Sequence, residues 1–216
     1  MAAGDLFASS ATLHRTEIAP GAVLLHGFAA DRAELIIAAI DAVASAAPFR
    51  NMITPGGHTM SVAMTSTGRA GWITDRRGYR YSEIDPDTGR AWLAMPAPLH
   101  ALAVDAAATG GFPGSEPDSC LVNRYVPGAR MSLHQDRDEA DLTAPIVSVS
   151  LGLPAKFLFG GLRRADRPQR LMLAHGDVVV WGGPSRLAYH GIDPVKDGKH
   201  PLTGRCRINL TFRKAL

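Results

Sequence analysis

The sequence predicts a mainly-β protein, a sandwich or barrel with two helices laid outside it. Three observations carry that reading. Short apolar runs follow one another in quick succession from residue 119 onward. Glycine and proline, 22 and 15 in number, punctuate those runs as turn residues do. Helical periodicity is confined to two segments, so the helices can flank the strands but not alternate with them.

In chain order, VLLHGF at 23–28 is a short strand, and an alanine-rich helix follows over 31–47. Asp31 is placed to cap that helix, with Glu34 at the capping-box position. Leu35, Ile36, Ala39, Ile40 and Val43 supply its apolar stripe, and Pro48 stops it. MSVAM at 60–64 is strand-like. A second helix is expected from Pro98 to Thr109, because proline suits a first turn and Gly110-Gly111 ends the element. Strands are then expected at 119–126 (before the turn Pro127-Gly128), 145–154, 155–160, 170–174, 177–181 and 205–212. The stretch 55–95 differs: it is rich in Gly, Arg, Tyr and Trp and lacks a clear period. It is expected to be a lid or substrate-gripping hairpin, with a plain connection as the alternative.

With 216 residues and 46% apolar composition, the chain is expected to form a single domain, 1–216, with a real core. No apolar run approaches the roughly 20 residues that span a bilayer. Asp5 precedes any apolar run, which argues against a secretory signal; a transit peptide is opposed only by the scarcity of basic residues. A cytoplasmic monomer without a membrane partner is expected. Cys120 and Cys206 make no zinc-finger pattern; buried free thiols are expected, and a disulfide is compatible too. A net charge of +3 does not by itself establish a nucleic-acid partner. Its distribution says more. Arg76, Arg77 and Arg80 flank two tyrosines, and Arg163, Arg164, Arg167 and Arg170 crowd a second stretch. Solvated loop arginines explain this, as does a grip on a phosphate backbone beside a stacked base.

The chemistry centres on His134-Gln135-Asp136 and the distant His190. Two imidazoles and one carboxylate are the donor set of a facial triad, which holds non-haem Fe(II) and leaves one side open. In an extended segment, His134 and Asp136 share a face. His190 follows a strand and a Gly-Gly turn and is the best third donor; His175, at the preceding turn, is the competitor. His58, His100 and His200 lack a comparable setting. On the last strand Cys206, Ile208, Leu210 and Phe212 alternate with Arg207, Asn209, Thr211 and Arg213. Solvent explains the polar face, and so does an interior wall of guanidinium groups able to hold a carboxylate bidentately. Asn123 and Tyr125 share a face of another strand and suit the same small dicarboxylate.

Beyond single residues, the stretches PGGHTMSVAMT, NRYVPGARMSLHQDRDE, PIVSVSLGLPAKFLFGG, HGDVVVWGG with the Ser185-Arg186 pair and AYHGI that follow, and CRINLTFR stand in the order seen in one family. From about residue 17 to 214 the chain resembles the AlkB-type Fe(II)/2-oxoglutarate-dependent dioxygenases. The resemblance implies a double-stranded β-helix (jelly roll) with flanking helices and a nucleotide-recognition lid. It implies His134, Asp136 and His190 as iron ligands. Arg207 and Arg213 would engage 2-oxoglutarate, with Asn123, Tyr125 and Asn209 assisting. Arg213 would face the distal carboxylate and Arg207 the iron-proximal end. On the substrate side it implies Trp72, Tyr79, Arg80 and Tyr81 in the lid, with Trp72 on the damaged base and Tyr79 near the phosphate. Asp138 would read the exocyclic amino group, and Arg164 would touch substrate from the next hairpin. The departure is Arg69-Ala70-Gly71, where close relatives are expected to read His-Leu-Gly.

The activity so implied is oxidative demethylation of N1-methyladenine and N3-methylcytosine, consuming 2-oxoglutarate and O2 and releasing formaldehyde, CO2 and succinate. Single- or double-stranded alkylated DNA is the implied partner, with RNA open. Both bases carry positive charge and pair poorly, which lowers the cost of extracting them. A related oxygenase acting on RNA or a protein side chain shares the iron residues. A jelly-roll binding module without catalysis is the competing class.

Overall fold

The computed structural model describes residues 14–216, so the expectation drawn from the chain's first residues lies outside the described region. Thirteen strands and two α-helices are present among the described residues. They are β1 (Arg15–Ala19), β2 (Ala22–Leu25), α1 (Ala33–Ala46), β3 (Ala63–Gly68), β4 (Gly71–Asp75), β5 (Gly78–Ser82), α2 (Ala97–Thr109), β6 (Ser119–Tyr125), β7 (Met131–His134), β8 (Ile146–Gly152), β9 (Ala155–Phe159), β10 (Gln169–Leu173), β11 (Val178–Trp181), β12 (His190–Ile192) and β13 (Arg207–Arg213).

These strands make a seven-stranded sheet, β1-β2-β11-β8-β13-β6-β3, a four-stranded sheet, β10-β9-β12-β7, and the separate hairpin β4-β5. Every pairing is antiparallel. Each strand of the large sheet therefore has two distinct faces. One face packs against α1 and α2 through Val23, Leu25, Val122, Val149, Val178, Leu210 and Phe212. The other shares an apolar cluster with the small sheet, through Leu24, Leu121, Val179 and Trp181 on one side and Phe157, Phe159 and Ile192 on the other. The chain is thus mainly β with flanking helices. None of its described helices is long and apolar enough to cross a membrane.

The helices depart from expectation at one end. Residues 30–32 form a single 3-10 turn, α1 starts at Ala33, and its N-cap is Arg32 without a side-chain capping bond. Asp31 lies inside that turn and cannot cap. The buried stripe is Ala33, Ile36, Ile40 and Val43, whereas Leu35 is 56% exposed. One helical step turns a side chain by about 100°, which carries Leu35 off the stripe centred on its neighbour. Helix α2 begins one residue before the expected Pro98 and ends at Thr109 as expected.

The stretch 55–95 is not of one kind. Within it, β3 belongs to the large sheet and is buried along nearly its whole length, displacing the strand expected at 60–64 toward the C-terminus. Only β4 and β5 stand apart as a hairpin, in the register Trp72↔Tyr81 and Thr74↔Tyr79. Both cysteines are free; Cys120 is buried and Cys206 half-buried.

Candidate active site

His134 ends β7, His190 begins β12, and the two pair directly in the ladder. Asp136 lies two residues beyond β7, on the same side as His134. Candidate ligand atoms of these three residues lie within 4.8 Å of one another. His134 Nε2 is 3.7 Å from Asp136 Oδ1, and His190 Nε2 is 3.6 Å from Asp136 Oδ2. Each imidazole is aimed by the same device. Nδ1–H of His134 donates to the Ser132 carbonyl at 2.8 Å, and Nδ1–H of His190 to the Ala188 carbonyl at 3.0 Å. With Nδ1 engaged in this way, Nε2 of each ring is the nitrogen turned toward the cluster. Burial, with His190 beside it, holds the His134 imidazole down at about 4, so the ring is neutral and free to ligate at neutral pH. β12 and β7 approach closely here: a Cβ on Gly191 would lie 2.6 Å from the Met131 carbonyl oxygen.

His175 is not part of this cluster. Its Nδ1 accepts a bond from the Gly152 N–H, and its ring stacks on His200 at 4.3 Å. The turn before β11 therefore uses His175 to close a connection.

Beneath the cluster is a small cavity of about 50 Å³, walled by Asn123, Tyr125, His134, His190, Arg207, Asn209 and Arg213 with Trp181 and Phe157. The alternation on β13 thus resolves in favour of an interior polar face. Ile208, Leu210 and Phe212 join the helix-side core, and Arg207, Asn209, Thr211 and Arg213 line the cavity. Asn209 is fully engaged, donating to Ser148 Oγ at 2.8 Å and to the Val149 carbonyl at 2.9 Å, and accepting from Asn123 Nδ2 at 3.2 Å.

The two arginines behave differently, and their expected positions are reversed. Arg213 donates from Nε and Nη2 to Asp136 Oδ2 at 2.9 and 2.6 Å, so it is the iron-proximal one. Burial pushes the Asp136 carboxyl up, but Arg213, helped by His190 and His134, holds it well below the usual carboxylate range. Arg207 is 1% exposed and lies 5.0 Å over the Tyr125 ring. Its Nη2 donates to Ser150 Oγ at 2.9 Å, while Nε and Nη1 have no hydrogen-bond partner among the described residues. A buried guanidinium with unpartnered donors is costly unless a ligand supplies the anion. The period of a strand tells which side chains face inward but not how deep each lies, hence the reversal.

The triad and the vacant donors of Arg207 pose the question that comparison answers. The model of the 2OG-Fe(II) oxygenase superfamily matches residues 21–213. The chain belongs to that superfamily. Within it, the chain is 61% identical over 211 residues to the alpha-ketoglutarate-dependent dioxygenase AlkB of Escherichia coli, covering 98% of this chain and 97% of the relative. It is 57% identical, over the same shares, to the AlkB of Salmonella typhimurium. The solved structure of OsALKBH1 superposes with a TM-score of 0.80 at 29% identity, covering 93% of this chain and all of that one. These figures place the chain among the AlkB-type dioxygenases. The site fits what the family uses. Two imidazoles and a carboxylate suit Fe(II), and the unpartnered donors of buried Arg207 suit an anionic end of 2-oxoglutarate.

Four of the remaining expected residues of this oxygenase fall on the two faces of the hairpin. Trp72, Tyr79 and Tyr81 share one, because they occupy directly opposed or alternate positions of the ladder. Trp72 stacks on Tyr79 with ring centroids 5.6 Å apart and 17° between planes, and its Nε1–H donates to Asp138 Oδ2 at 3.0 Å. Arg80 faces the other way and forks onto Asp75 at 3.0 and 2.7 Å. The structure does not bring it to Trp72. Arg164 lies 5.8 Å over the ring of Tyr189, the neighbour of His190.

Two residues with a place at the centre carry no sequence expectation: Glu139 and Arg186. Glu139 accepts from Tyr81 Oη at 2.8 Å and Arg186 Nη2 at 3.1 Å, and lies 3.2 Å from Arg213 Nε. Arg186 also donates to the Asp136 carbonyl at 2.7 Å. Both lie in stretches that carry the family resemblance, but neither was given a role, and the partner Arg186 is 47 residues from Glu139.

Proposed function

We propose that this enzyme removes N-methyl groups from alkylated DNA bases, N1-methyladenine and N3-methylcytosine above all, by Fe(II)- and 2-oxoglutarate-dependent oxidation. The observation that carries it is one cavity lined by His134 and His190 of the three-residue cluster and by Arg207 with its unpartnered donors. The 61% identity to an AlkB dioxygenase supports the same reading.

His134, Asp136 and His190 would hold Fe(II), which when bound would supply, with 2-oxoglutarate and O2, the oxidising power for hydroxylation of the methyl carbon and loss of formaldehyde. Arg207, backed by Tyr125, takes the distal carboxylate of 2-oxoglutarate. Arg213 fixes Asp136 through Oδ2, leaving Oδ1 turned toward His134. Asn123 and Asn209 shape the wall between them. Trp72 offers a flat face for a flipped base, and Asp138 beside it favours a cationic base over a neutral one. Tyr79, 50% exposed, is placed to meet the backbone phosphate. In this reading the chain is one jelly-roll domain, the β4–β5 hairpin is its lid, and it works as a cytoplasmic monomer on single- or double-stranded DNA and on RNA with the same lesions.

The test is anaerobic reconstitution with Fe(II), addition of 2-oxoglutarate and air, and mass spectrometry of methylated oligonucleotides. Loss of one methyl mass with matching formaldehyde and succinate is expected, and none from His134→Ala even in excess Fe(II). Undiminished turnover in that variant would remove the triad assignment. No product from the intact protein with either lesion would remove the substrate assignment.

A further inference from the structure

The hairpin and the iron ligand are joined by a latch of two successive residues. Trp72 and Tyr81 lie directly opposite one another in the β4–β5 ladder. The first bonds to Asp138 and the second to Glu139. Both acids lie on the short segment that begins with the ligand Asp136. Glu139 is 8% exposed and shares the two guanidinium groups that also hold Asp136: Arg213 on its carboxylate and Arg186 on its main-chain carbonyl. Two acids and two guanidinium groups therefore balance in charge, and neither acid can move without redistributing what the other feels.

We propose that Glu139 is a positioning residue for the reaction. It senses the lid through the Tyr81 hydroxyl and sets the direction and donor strength of Asp136 through Arg213 and Arg186. This rests on the reading of the hairpin as the substrate lid. A base seated against Trp72 shifts the hairpin, and Tyr81 sits on the same rung. The Tyr81–Glu139 bond passes that shift to Glu139. Arg213, whose charge is shared by Glu139 and Asp136, then leans more or less on Asp136 Oδ2. The iron site is thereby adjusted when nucleic acid is present.

A purely structural ion-pair network makes a different prediction: lower stability on breaking it, with no dependence on the lid. Tyr81→Phe separates the two, because it removes one hydroxyl from a half-buried ring and leaves every buried charge paired. Glu139→Gln keeps the size and deletes the charge. The first readout is the ligand-field absorption of the Co(II)-substituted, 2-oxoglutarate-bound protein under anaerobic conditions, before and after a methylated oligonucleotide is added. The parent spectrum is expected to change on addition. Tyr81→Phe should start from the parent spectrum, bind the oligonucleotide, and show no change. Glu139→Gln should have an altered spectrum from the outset and retain Co(II) more weakly, since Arg213 then bears wholly on Asp136. The second readout is kinetic: Tyr81→Phe should lower kcat by about tenfold with KM for the oligonucleotide within about twofold of the parent. A Tyr81→Phe protein with the parent's spectral response and kcat, or a parent spectrum indifferent to the oligonucleotide, overturns the proposal. Failure of the lid reading looks different. In that case Trp72→Ala would bind and repair the oligonucleotide like the parent, and the latch would fall with it.

Discussion

Two arginine–aspartate forks in this molecule have nearly the same bond lengths and opposite consequences. On the hairpin, Arg80 reaches both oxygens of Asp75 at 3.0 and 2.7 Å, with side chains 32% and 40% exposed. At the active site, Arg213 places two donors on a single oxygen of Asp136 at 2.9 and 2.6 Å, with side chains 6% and 8% exposed. The hairpin pair uses up its carboxylate. The buried pair leaves one oxygen as a donor. Water screens the first pair and can replace either partner; nothing replaces the second. Bond length alone therefore says little about what an ion pair does. Burial sets its weight, and the choice of acceptor oxygen sets its use.

The largest effect expected from this contrast is that of Arg213→Ala. It leaves Asp136 and Glu139 buried without their shared cation, a loss of about 3–5 kcal/mol in folding stability. Thermal denaturation of the chelator-treated protein measures it. A shift no greater than that of Arg80→Ala would dissolve the contrast. Next comes Arg207→Ala, which should weaken 2-oxoglutarate by about 2–5 kcal/mol in anaerobic titration. An unchanged dissociation constant would move the distal carboxylate to another residue. Trp72→Ala should weaken a methylated oligonucleotide by about 1–3 kcal/mol in fluorescence anisotropy while leaving 2-oxoglutarate binding intact. Arg76→Ala should reduce the salt dependence of that binding by roughly one phosphate contact, whatever the sequence of the oligonucleotide. The smallest effect belongs to Arg80→Ala. Its melting temperature and oligonucleotide affinity should match the parent's, because the residue faces away from Trp72 and its pair is solvated; a clear loss of affinity would put Arg80 back in the binding surface.

The parts of this picture visible in the sequence are those governed by short periods. Alternation along β13 sorted Arg207, Asn209, Thr211 and Arg213 from Ile208, Leu210 and Phe212, and both groups lie together as expected. The spacing of His134 and Asp136 signalled a shared side, and the triad is assembled with His190 across the β7–β12 ladder. What escaped depends on depth or on distant partners. Arg207 and Arg213 exchange their expected places because period two carries no measure of distance from the metal. The Glu139–Arg186 pair joins residues far apart in sequence, with no pattern to tie them. Strand β1 is short, lies at a sheet edge and alternates irregularly between half-buried and exposed, so it has no apolar signature. The start of α1 was misplaced because a 3-10 turn absorbs Asp31, and capping rules presume that the chain enters the α-helix directly.

Gly191 gives the metal centre a gauge made of main chain. The two imidazoles, with ring centroids 4.4 Å apart, hang from β7 and β12, and those strands touch where residue 191 has no side chain. A single added methyl would have to wedge the strands apart and widen the jaw between His134 and His190. The spacing of the two imidazoles thus rests on an atom that is missing, one position along from a ligand.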